Sequence, residues 1–359
     1  MRVAVTGAGG RLGRALIAAL EDAPFTGPLG PLAWSRPAYD LDDPEAAVRC
    51  IRQTVPEVVI HAAAWTDVDG CAREPERAMR RNALAVAELA DACVRSGTDL
   101  VLVSTNEVFD GRRTDGLAYT PEDGPRPANP YGASKLAGEA AAQAAFLGHG
   151  GLIERPGAPG RSGAPSRSAA PGRAGAPGRA GAPGRSDAPA AVSAGDGVGM
   201  PARPAAAPQL AIVRTAWLYG PPGNDFPARI LASADRARAA GEPLHVVGDE
   251  IGSPTFAPDL AEGILDLLAS GTFAGIHHIV NAGAVSRAGW ARHILAALEV
   301  EVPIVEISLA TWARPSTPPA WSVLASTALP SGESLRPWQA AFADYRPFLA
   351  RERAGATRR

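Results

Sequence analysis

Short apolar runs alternate with longer segments of helical periodicity over residues 1–147. The runs predict strands, and the segments between them repeat apolar residues every three or four positions, which is typical of amphipathic helices. This order of elements predicts an α/β fold, a doubly wound parallel sheet with helices on both faces. The predicted strands are Arg2–Thr6, Leu32–Trp34, Val58–Ala62 and Leu100–Ser104, and the predicted helices are Leu12–Leu20, Pro44–Gln53 and Ala78–Ser96.

Similar patterns continue along the rest of the chain. Asn129 can cap a helix and Pro130 suits its first turn, which predicts a helix over about 130–147. We expect residues 1–147 and 209–219 to share one sheet domain, and residues 220–350 to form mainly a smaller lobe. Further elements are predicted as a return strand in 209–219 (Leu210–Thr215), a sheet strand in 275–282, helices near Pro258–Ser270 and Arg287–Leu298, and an irregular, proline-rich C-terminal stretch.

Residues 148–208 differ from the rest of the chain in composition, because glycine, alanine, proline and arginine nearly exclude larger residues. Such a segment cannot bury enough apolar surface to fold, so we predict a disordered, solvated insert. Part of it has glycine at every third position, as collagen does. Interruptions at Ser166, Ala169 and Asp187 disfavour a triple helix.

Charge and composition disfavour two classes of partner. The chain of 359 residues carries 35 basic and 37 acidic side chains, a formal net charge of -2. Proteins that bind nucleic acid or anionic membrane surfaces usually carry a basic excess, and no apolar run approaches the roughly 18 residues of a membrane span. The three cysteines form no C-x-x-C pair, which is typical of reduced thiols. We therefore expect a cytoplasmic protein with neither a nucleic-acid nor a membrane partner.

A glycine-rich turn follows the first predicted strand and leads into the first helix. Gly7, Gly10 and Gly13 form a G-x-x-G-x-x-G pattern, in which the backbone can approach a pyrophosphate at the helix N-terminus. The end of the second strand normally reads the adenosine ribose, and Ser35 with Arg36 can hold a 2′-phosphate there. These positions predict a dinucleotide site that favours NADPH and leaves NADH open.

Tyr131 and Lys135 have Y-x-x-x-K spacing, which places both on one helix face. Lys135 is the only lysine among 35 basic residues. An ammonium one turn away should pull the pKa of the tyrosine down toward the range of an acid–base catalyst. Ser104 and Thr105 end a strand at the edge where substrates bind, and a hydroxyl there can bond a ketone oxygen. Thr105, Tyr131 and Lys135 are the predicted catalytic residues, and Ser104 is placed with the cofactor site.

Motifs that carry family information extend over nearly the whole chain outside the insert: Thr6–Gly13, Ala62–Asp69, Ser104–Gly111, Tyr131–Lys135, Arg214–Gly220, Gly252–Thr255, Asn281–Gly283 and Ser286–Arg287. They resemble those of the extended short-chain dehydrogenase/reductase family, and more closely its dTDP-4-dehydrorhamnose reductase branch. The resemblance implies a Rossmann-like sheet domain with a C-terminal substrate lobe. It also implies reduction of the 4-ketone of dTDP-4-dehydro-L-rhamnose to dTDP-L-rhamnose.

The resemblance also implies a role for individual positions. Tyr131 would protonate the alkoxide at sugar C-4, Lys135 would tune it and hold the nicotinamide ribose, and Thr105 would orient the ketone. Implied binding positions are Gly10, Arg11 and Leu12 for the pyrophosphate, Asp40 and Leu41 for the adenine, Ala62, Ala63 and Ala64 for the nicotinamide, and Thr66, Val68, Asn106 and Trp217 for the sugar nucleotide.

The chain departs from the family pattern at Asn106 and Glu107, where members often have Asp-Tyr. A related nucleotide 4-keto-sugar therefore stays open as the substrate. A non-catalytic, cofactor-binding regulatory subunit is a third alternative, which the intact catalytic set disfavours. Whether the chain forms a homodimer is left open. His277 and His278 are adjacent on a predicted strand and face opposite sides, so we interpret them as structural and predict no metal site.

Overall fold

A computed structural model describes residues 1–148 and 207–356, in which a parallel sheet of six strands is central. The strands are β1 (Val3–Thr6), β2 (Leu32–Trp34), β3 (Val58–His61), β4 (Asp99–Thr105), β5 (Leu210–Thr215), β6 (Leu218–Tyr219), β7 (Leu244–Val247), β8 (Ile251–Gly252), β9 (Thr255–Phe256), β10 (Gly275–His278), β11 (Val285–Ser286) and β12 (Ile304–Ile307). The sheet order is β10-β5-β4-β3-β1-β2, with parallel pairing throughout. This confirms the predicted doubly wound α/β class.

Helices connect the strands and extend the chain beyond them. They are α1 (Arg11–Asp22), α2 (Ala46–Thr54), α3 (Val68–Arg73), α4 (Pro75–Met79), α5 (Ala85–Ser96), α6 (Pro130–Gly148), α7 (Phe226–Ala240), α8 (Ala257–Ala269), α9 (Arg287–Ala297) and α10 (Trp338–Ala356). A π-helical turn, Arg80–Leu84, lies between α4 and α5 where one continuous helix was predicted. A 3-10 turn, Asn106–Val108, follows β4.

Alternate residues of the central strands enter two different cores. In β1, Val3 and Val5 pack with α1 and α8, whereas Ala4 packs with α2 and α5. In β4, Val101 joins the first of these groups and Leu102 joins the second. Successive side chains of a strand point to opposite faces, so helices cover both faces of the sheet.

A third core belongs to the C-terminal half and corrects one expectation. The C-terminal stretch was expected to be irregular, yet α10 is a helix of 19 residues with Pro347 inside it. Trp338, Phe342, Tyr345 and Leu349 of α10 are buried in this core at helical spacing. Burial of that aromatic face outweighs the helix-breaking tendency of the proline.

The predicted insert falls almost entirely outside the described residues. Of 148–208, only Gly148, Ala207 and Pro208 belong to the described ranges. Within those ranges, no helix combines the length and the apolar character needed to cross a membrane.

Candidate active site

The candidate site lies at the carboxyl edge of the parallel sheet. β1, β3, β4 and β5 all run in the same direction, so the loops that follow them meet at one edge. The order of strands reverses between β1 and β3, because β2 lies on the other side of β1. Ligands of open α/β sheets bind beside such a reversal.

Two glycines of the turn after β1 have no room for a side chain. Gly7 has a φ of +64°, and a Cβ there would lie 2.9 Å from the Cα of Ala63. A Cβ on Gly13 would lie 2.1 Å from the carbonyl oxygen of Gly7. α1 begins at Arg11 without a side-chain cap, which leaves amides free for an anion. The turn therefore fits a dinucleotide pyrophosphate.

Arg11 is already engaged on the wall of this site. Its Nε donates to the carbonyl oxygen of Gly220 at 3.0 Å, and its Nη2 donates to Oδ1 of Asn224 at 2.6 Å. The guanidinium thus ties the glycine turn to the segment after β6. The pyrophosphate role implied for Arg11 requires either its backbone amide or a rearranged side chain.

A cavity of about 540 Å³ lies on the β2 side of the glycine turn. Arg81 in its wall is paired with Asp42, whereas Arg36 forms no hydrogen bond or ion pair with any described residue. A guanidinium without a partner fits the predicted 2′-phosphate. The lining residues include Gly7, Gly10, Ser35, Arg36, Asp40, Leu41 and Ala64.

A second cavity, of about 470 Å³, extends from the glycine turn to the predicted catalytic residues. Ala62 lies in its wall, whereas Ala63 packs against the core below. Ala62, Ala63 and Ala64 were all expected to line the nicotinamide side, but Ala63 does not line this cavity. Consecutive residues of an extended segment point in opposite directions. The cavity is lined by, among others, Gly7, Gly10, Arg11, Leu12, Gly13, Ala62, Ala64, Ser104, Thr105, Tyr131 and Lys135.

The start of α6 positions Tyr131. Asn129 accepts a hydrogen bond from the Gly132 amide at its Oδ1, at 2.9 Å, which caps the helix. The Tyr131 ring then packs with Cys71 and Ala78 in a small apolar cluster. The packed ring anchors the side chain, and Tyr131 lines the 470 Å³ cavity, where its hydroxyl is the reactive group.

Lys135 lies one turn further along α6 and is buried. Its Nζ donates to the carbonyl oxygen of Val103 at 2.7 Å. Burial lowers the pKa of Lys135 to about 8, and the nearby Glu139 carboxylate opposes this shift. The ammonium therefore lies close to the end of β4, at the wall of the 470 Å³ cavity.

The pKa of Tyr131 differs from the sequence expectation. Burial raises it above its ordinary value, Glu107 raises it further, and a hydrogen bond with Thr105 acts in the opposite direction. The expected lowering of this pKa by Lys135 is wrong for this geometry, because burial and Glu107 dominate and the net shift is upward. Tyr131 is therefore a neutral phenol, the form that a proton donor requires.

Two buried networks support the catalytic helix. Asn82 in the π turn donates to the Ser134 hydroxyl at 3.1 Å and also bonds the backbone of Trp65. Beneath the cavity, Arg214 of β5 pairs with Glu139 at 2.7 Å, and the Ser104 hydroxyl donates to the same carboxylate. The Ser104 hydroxyl thus faces a structural partner, although Ser104 also lines the cavity.

Trp217 forms a rigid wall on the sugar side. It adopts a φ of +40°, an unusual backbone conformation for a bulky residue. The Arg287 guanidinium lies 3.5 Å above its ring, and Trp290 stacks on it with ring centroids 5.9 Å apart. The predicted sugar-nucleotide residues Thr66, Val68, Asn106 and Trp217 all line the 470 Å³ cavity.

An adjoining cavity of about 490 Å³ shares part of this wall. Three arginines reach it: Arg287 is paired with Glu250 and Arg314 with Asp69, whereas Arg229 has no ion pair with a described residue. None of these arginines was predicted as a site residue. Arg287 belongs to the Ser286–Arg287 motif, whereas Arg229 and Arg314 lie in segments without a recognisable spacing signal.

The sequence of the chain matches the family model described as "RmlD substrate binding domain" over residues 1–151 and 202–348. The chain belongs to this family. It is 34% identical to a dTDP-4-dehydrorhamnose reductase of Mycobacterium tuberculosis, over 95% of this chain and 91% of the relative. The family resemblance drawn from the sequence is thereby confirmed.

Solved structures agree with the RmlD-type fold. A dTDP-4-dehydrorhamnose reductase from Clostridium acetobutylicum is 25% identical, with 97% of this chain and 99% of that chain covered and a TM-score of 0.74. Another, from Bacillus anthracis in complex with NADP, is 24% identical, with 96% and 98% covered and a TM-score of 0.71. Because the Bacillus anthracis protein is less than 25% identical, its structure shows only that the two chains share a fold.

The two histidines of β10 have structural contacts in this RmlD-family chain. A ring nitrogen of His277 bonds the Phe273 carbonyl oxygen at 2.9 Å, and Nδ1 of His278 bonds the Tyr119 carbonyl oxygen at 3.0 Å. Across the described ranges, no group of three or more histidine, cysteine, aspartate or glutamate side chains is arranged to hold a metal ion.

Proposed function

We propose that this chain reduces the 4-keto group of dTDP-4-dehydro-L-rhamnose to give dTDP-L-rhamnose, with NADPH as the reductant. One observation carries the proposal: Thr105, Tyr131 and Lys135 line the same cavity as the glycine turn. A dinucleotide on that turn and a ketone beside Tyr131 would therefore share one space. The name of the Mycobacterium tuberculosis relative supports the choice of substrate.

The residues of the glycine turn and of the 540 Å³ cavity fit the proposed cofactor. Gly7, Gly10 and Gly13 would hold the pyrophosphate, because a Cβ on Gly7 or Gly13 would collide with backbone. The unpaired Arg36 favours a 2′-phosphate and hence NADPH over NADH. When bound, the nicotinamide supplies the hydride. Ala62 and Ala64 leave room for its ring, since larger side chains there would displace it.

The protein residues of the proposed step orient the ketone and supply a proton. Thr105 would bond the ketone oxygen as negative charge develops on it. Tyr131, held as a neutral phenol, would donate its proton to the alkoxide at C-4. The positive charge of the Lys135 ammonium would then stabilise the phenolate that remains, because opposite charges that lie close together lower its free energy.

The adjoining cavity fits the nucleotide diphosphate of the substrate. Arg287 and Arg314 are paired with carboxylates, whereas Arg229 forms no ion pair with a described residue and can contact a phosphate oxygen. A diphosphate there would place the attached sugar toward Tyr131.

We also propose that the enzyme is cytoplasmic, because buried, unpaired Cys50, Cys71 and Cys93 fit a reducing compartment.

The test follows the absorbance of NADPH, and separately NADH, when the purified protein meets dTDP-4-dehydro-L-rhamnose made in place by the upstream enzymes. We expect NADPH to be consumed. Tyr131→Phe should lose turnover by about 10²-fold or more while it still binds NADPH, because only the proton donor is removed. Cofactor binding without turnover of this sugar would contradict the proposal, and a panel of related 4-keto-sugars would then be tried, as Glu107 suggests.

A further inference from the structure

Glu107 occupies a position that the proposed proton transfer does not use. It follows Thr105 by two residues, in the 3-10 turn after β4. Its side chain lines both the 470 Å³ cavity with Tyr131 and the adjoining arginine-lined cavity. A ligand that extends from one cavity into the other would pass it.

The carboxylate of Glu107 is held in place by Asn129. Nδ2 of Asn129 donates to Oε2 of Glu107 at 2.6 Å and to the Thr317 carbonyl oxygen at 3.1 Å. The same Asn129 side chain caps the helix that carries Tyr131. The Glu107 amide in turn donates to Oγ1 of Thr105 at 3.2 Å. Backbone and side chain of Glu107 are thus both tied to the catalytic residues.

The second carboxylate oxygen is left without a partner. Among the described residues, Glu107 forms no ion pair, and Oε1 accepts no hydrogen bond. Burial raises the pKa of Glu107 to about 7, and the Asn129 hydrogen bond lowers it. Oε1 is not one of the described side-chain atoms that are both buried and without a partner, so it is accessible from the cavity, where water or a ligand hydroxyl can bond it.

We propose that Glu107 is a specificity-determining residue whose free carboxylate oxygen binds the C-3 hydroxyl of the keto-sugar. The inference rests on the proposed function. With the C-4 oxygen at Thr105 and Tyr131, the neighbouring ring carbons lie in the same cavity. C-5 carries a carbon substituent and C-3 carries a hydroxyl, so C-3 offers the adjacent hydrogen-bond donor. A site built to bond a hydroxyl strongly rejects an analogue that lacks it.

The experiment combines enzyme variants with two substrates, dTDP-4-dehydro-L-rhamnose and its 3-deoxy analogue. We expect Glu107→Leu to lower kcat/KM for the hydroxylated sugar by about 10- to 100-fold. The same change should alter kcat/KM for the deoxy analogue by less than about threefold. Glu107→Gln, which keeps the shape and can still bond Asn129, should lose less than Glu107→Leu.

Controls separate this inference from loss of folding and from failure of the proposed function. NADPH binding, followed by fluorescence, reports whether each variant retains a folded cofactor site. Glu122→Gln removes an exposed carboxylate outside both cavities and should leave kcat/KM unchanged. Equal losses on both sugars, or no loss on either, would overturn the role of Glu107 alone. A wild-type protein that binds NADPH but reduces neither sugar would overturn the proposed function, and this inference with it.

Discussion

Lys135 is a charged residue that the active site requires, and its burial should lower the free energy of unfolding. Its pKa falls from the ordinary 10.5 to about 8 because burial disfavours the ammonium. At pH 7 this pKa difference means that the buried ammonium destabilises the folded protein by about 3 kcal/mol. A methionine would remove that cost but would also lose the hydrogen bond to Val103, which contributes about 1 kcal/mol. We therefore expect Lys135→Met to be about 2 kcal/mol more stable than the wild type at pH 7, and inactive.

The pH dependence of this difference has a definite sign. Between pH 8 and 10.5 the unfolded chain keeps the Lys135 proton longer than the folded chain does, so wild-type stability rises with pH. The advantage of Lys135→Met should therefore shrink across that window. Urea denaturation of both proteins at pH 7, 9 and 10.5 measures it. A gap that stays constant or widens would contradict the buried-ammonium account.

At the residue scale, the sequence reveals chemistry that follows local spacing and misses chemistry assembled by the fold. Tyr131 and Lys135 are separated by one helical turn, so their common face can be read directly. The neutral state of Tyr131 depends on burial and on Glu107, which no spacing encodes. Arg229 approaches the site only through tertiary packing, and its own helix carries no signal.

The helix α6 lies so close to the π turn that one glycine decides the contact. A Cβ on Gly138 would lie 2.3 Å from the carbonyl oxygen of Asn82, which is backbone and cannot rotate away. We expect Gly138→Ala to lower the free energy of unfolding by about 1–3 kcal/mol. Because α6 also carries Tyr131, turnover should fall as the helix shifts.

A matched glycine in the same helix provides the control. Gly148 ends α6 and has no heavy atom within 4 Å of an added Cβ. Gly148→Ala should be neutral or stabilise by up to about 1 kcal/mol, since alanine favours the helix. Chemical denaturation and NADPH oxidation of the two variants make the comparison. Equal stabilities would show that α6 and the π turn are less tightly packed than described.

At the element scale, the predictions succeed where the periodicity is regular. β2 has the predicted bounds, Leu32–Trp34, and α1 contains the predicted Leu12–Leu20. The π turn was missed because a single turn with i→i+5 hydrogen bonds is too short to change the apolar periodicity of the whole segment. α10 was missed because Pro347 indicates a break, whereas the burial of its aromatic face is visible only in the fold.

At the scale of the whole molecule, the sheet is completed across the largest gap in the described chain. β5 begins at Leu210, beyond residues 149–206, and pairs with β4 in the centre of the sheet. Arg214 on β5 then pairs with Glu139 on α6, on the near side of the gap. The segment between them therefore acts as one connection between α6 and β5, a kind that usually needs only about 2–6 residues.

This topology leads to a prediction for the insert. Its composition predicts a solvated loop, so replacing 149–206 with about six glycine and serine residues should leave kcat/KM within about threefold of wild type. The free energy of unfolding should rise by about 2 kcal/mol, since each halving of a flexible loop returns roughly 0.6 kcal/mol of closure entropy. NADPH oxidation and urea denaturation of the shortened chain measure both effects. A shortened protein that binds NADPH but loses turnover would give the insert a role in the reaction, and the loop interpretation would be wrong.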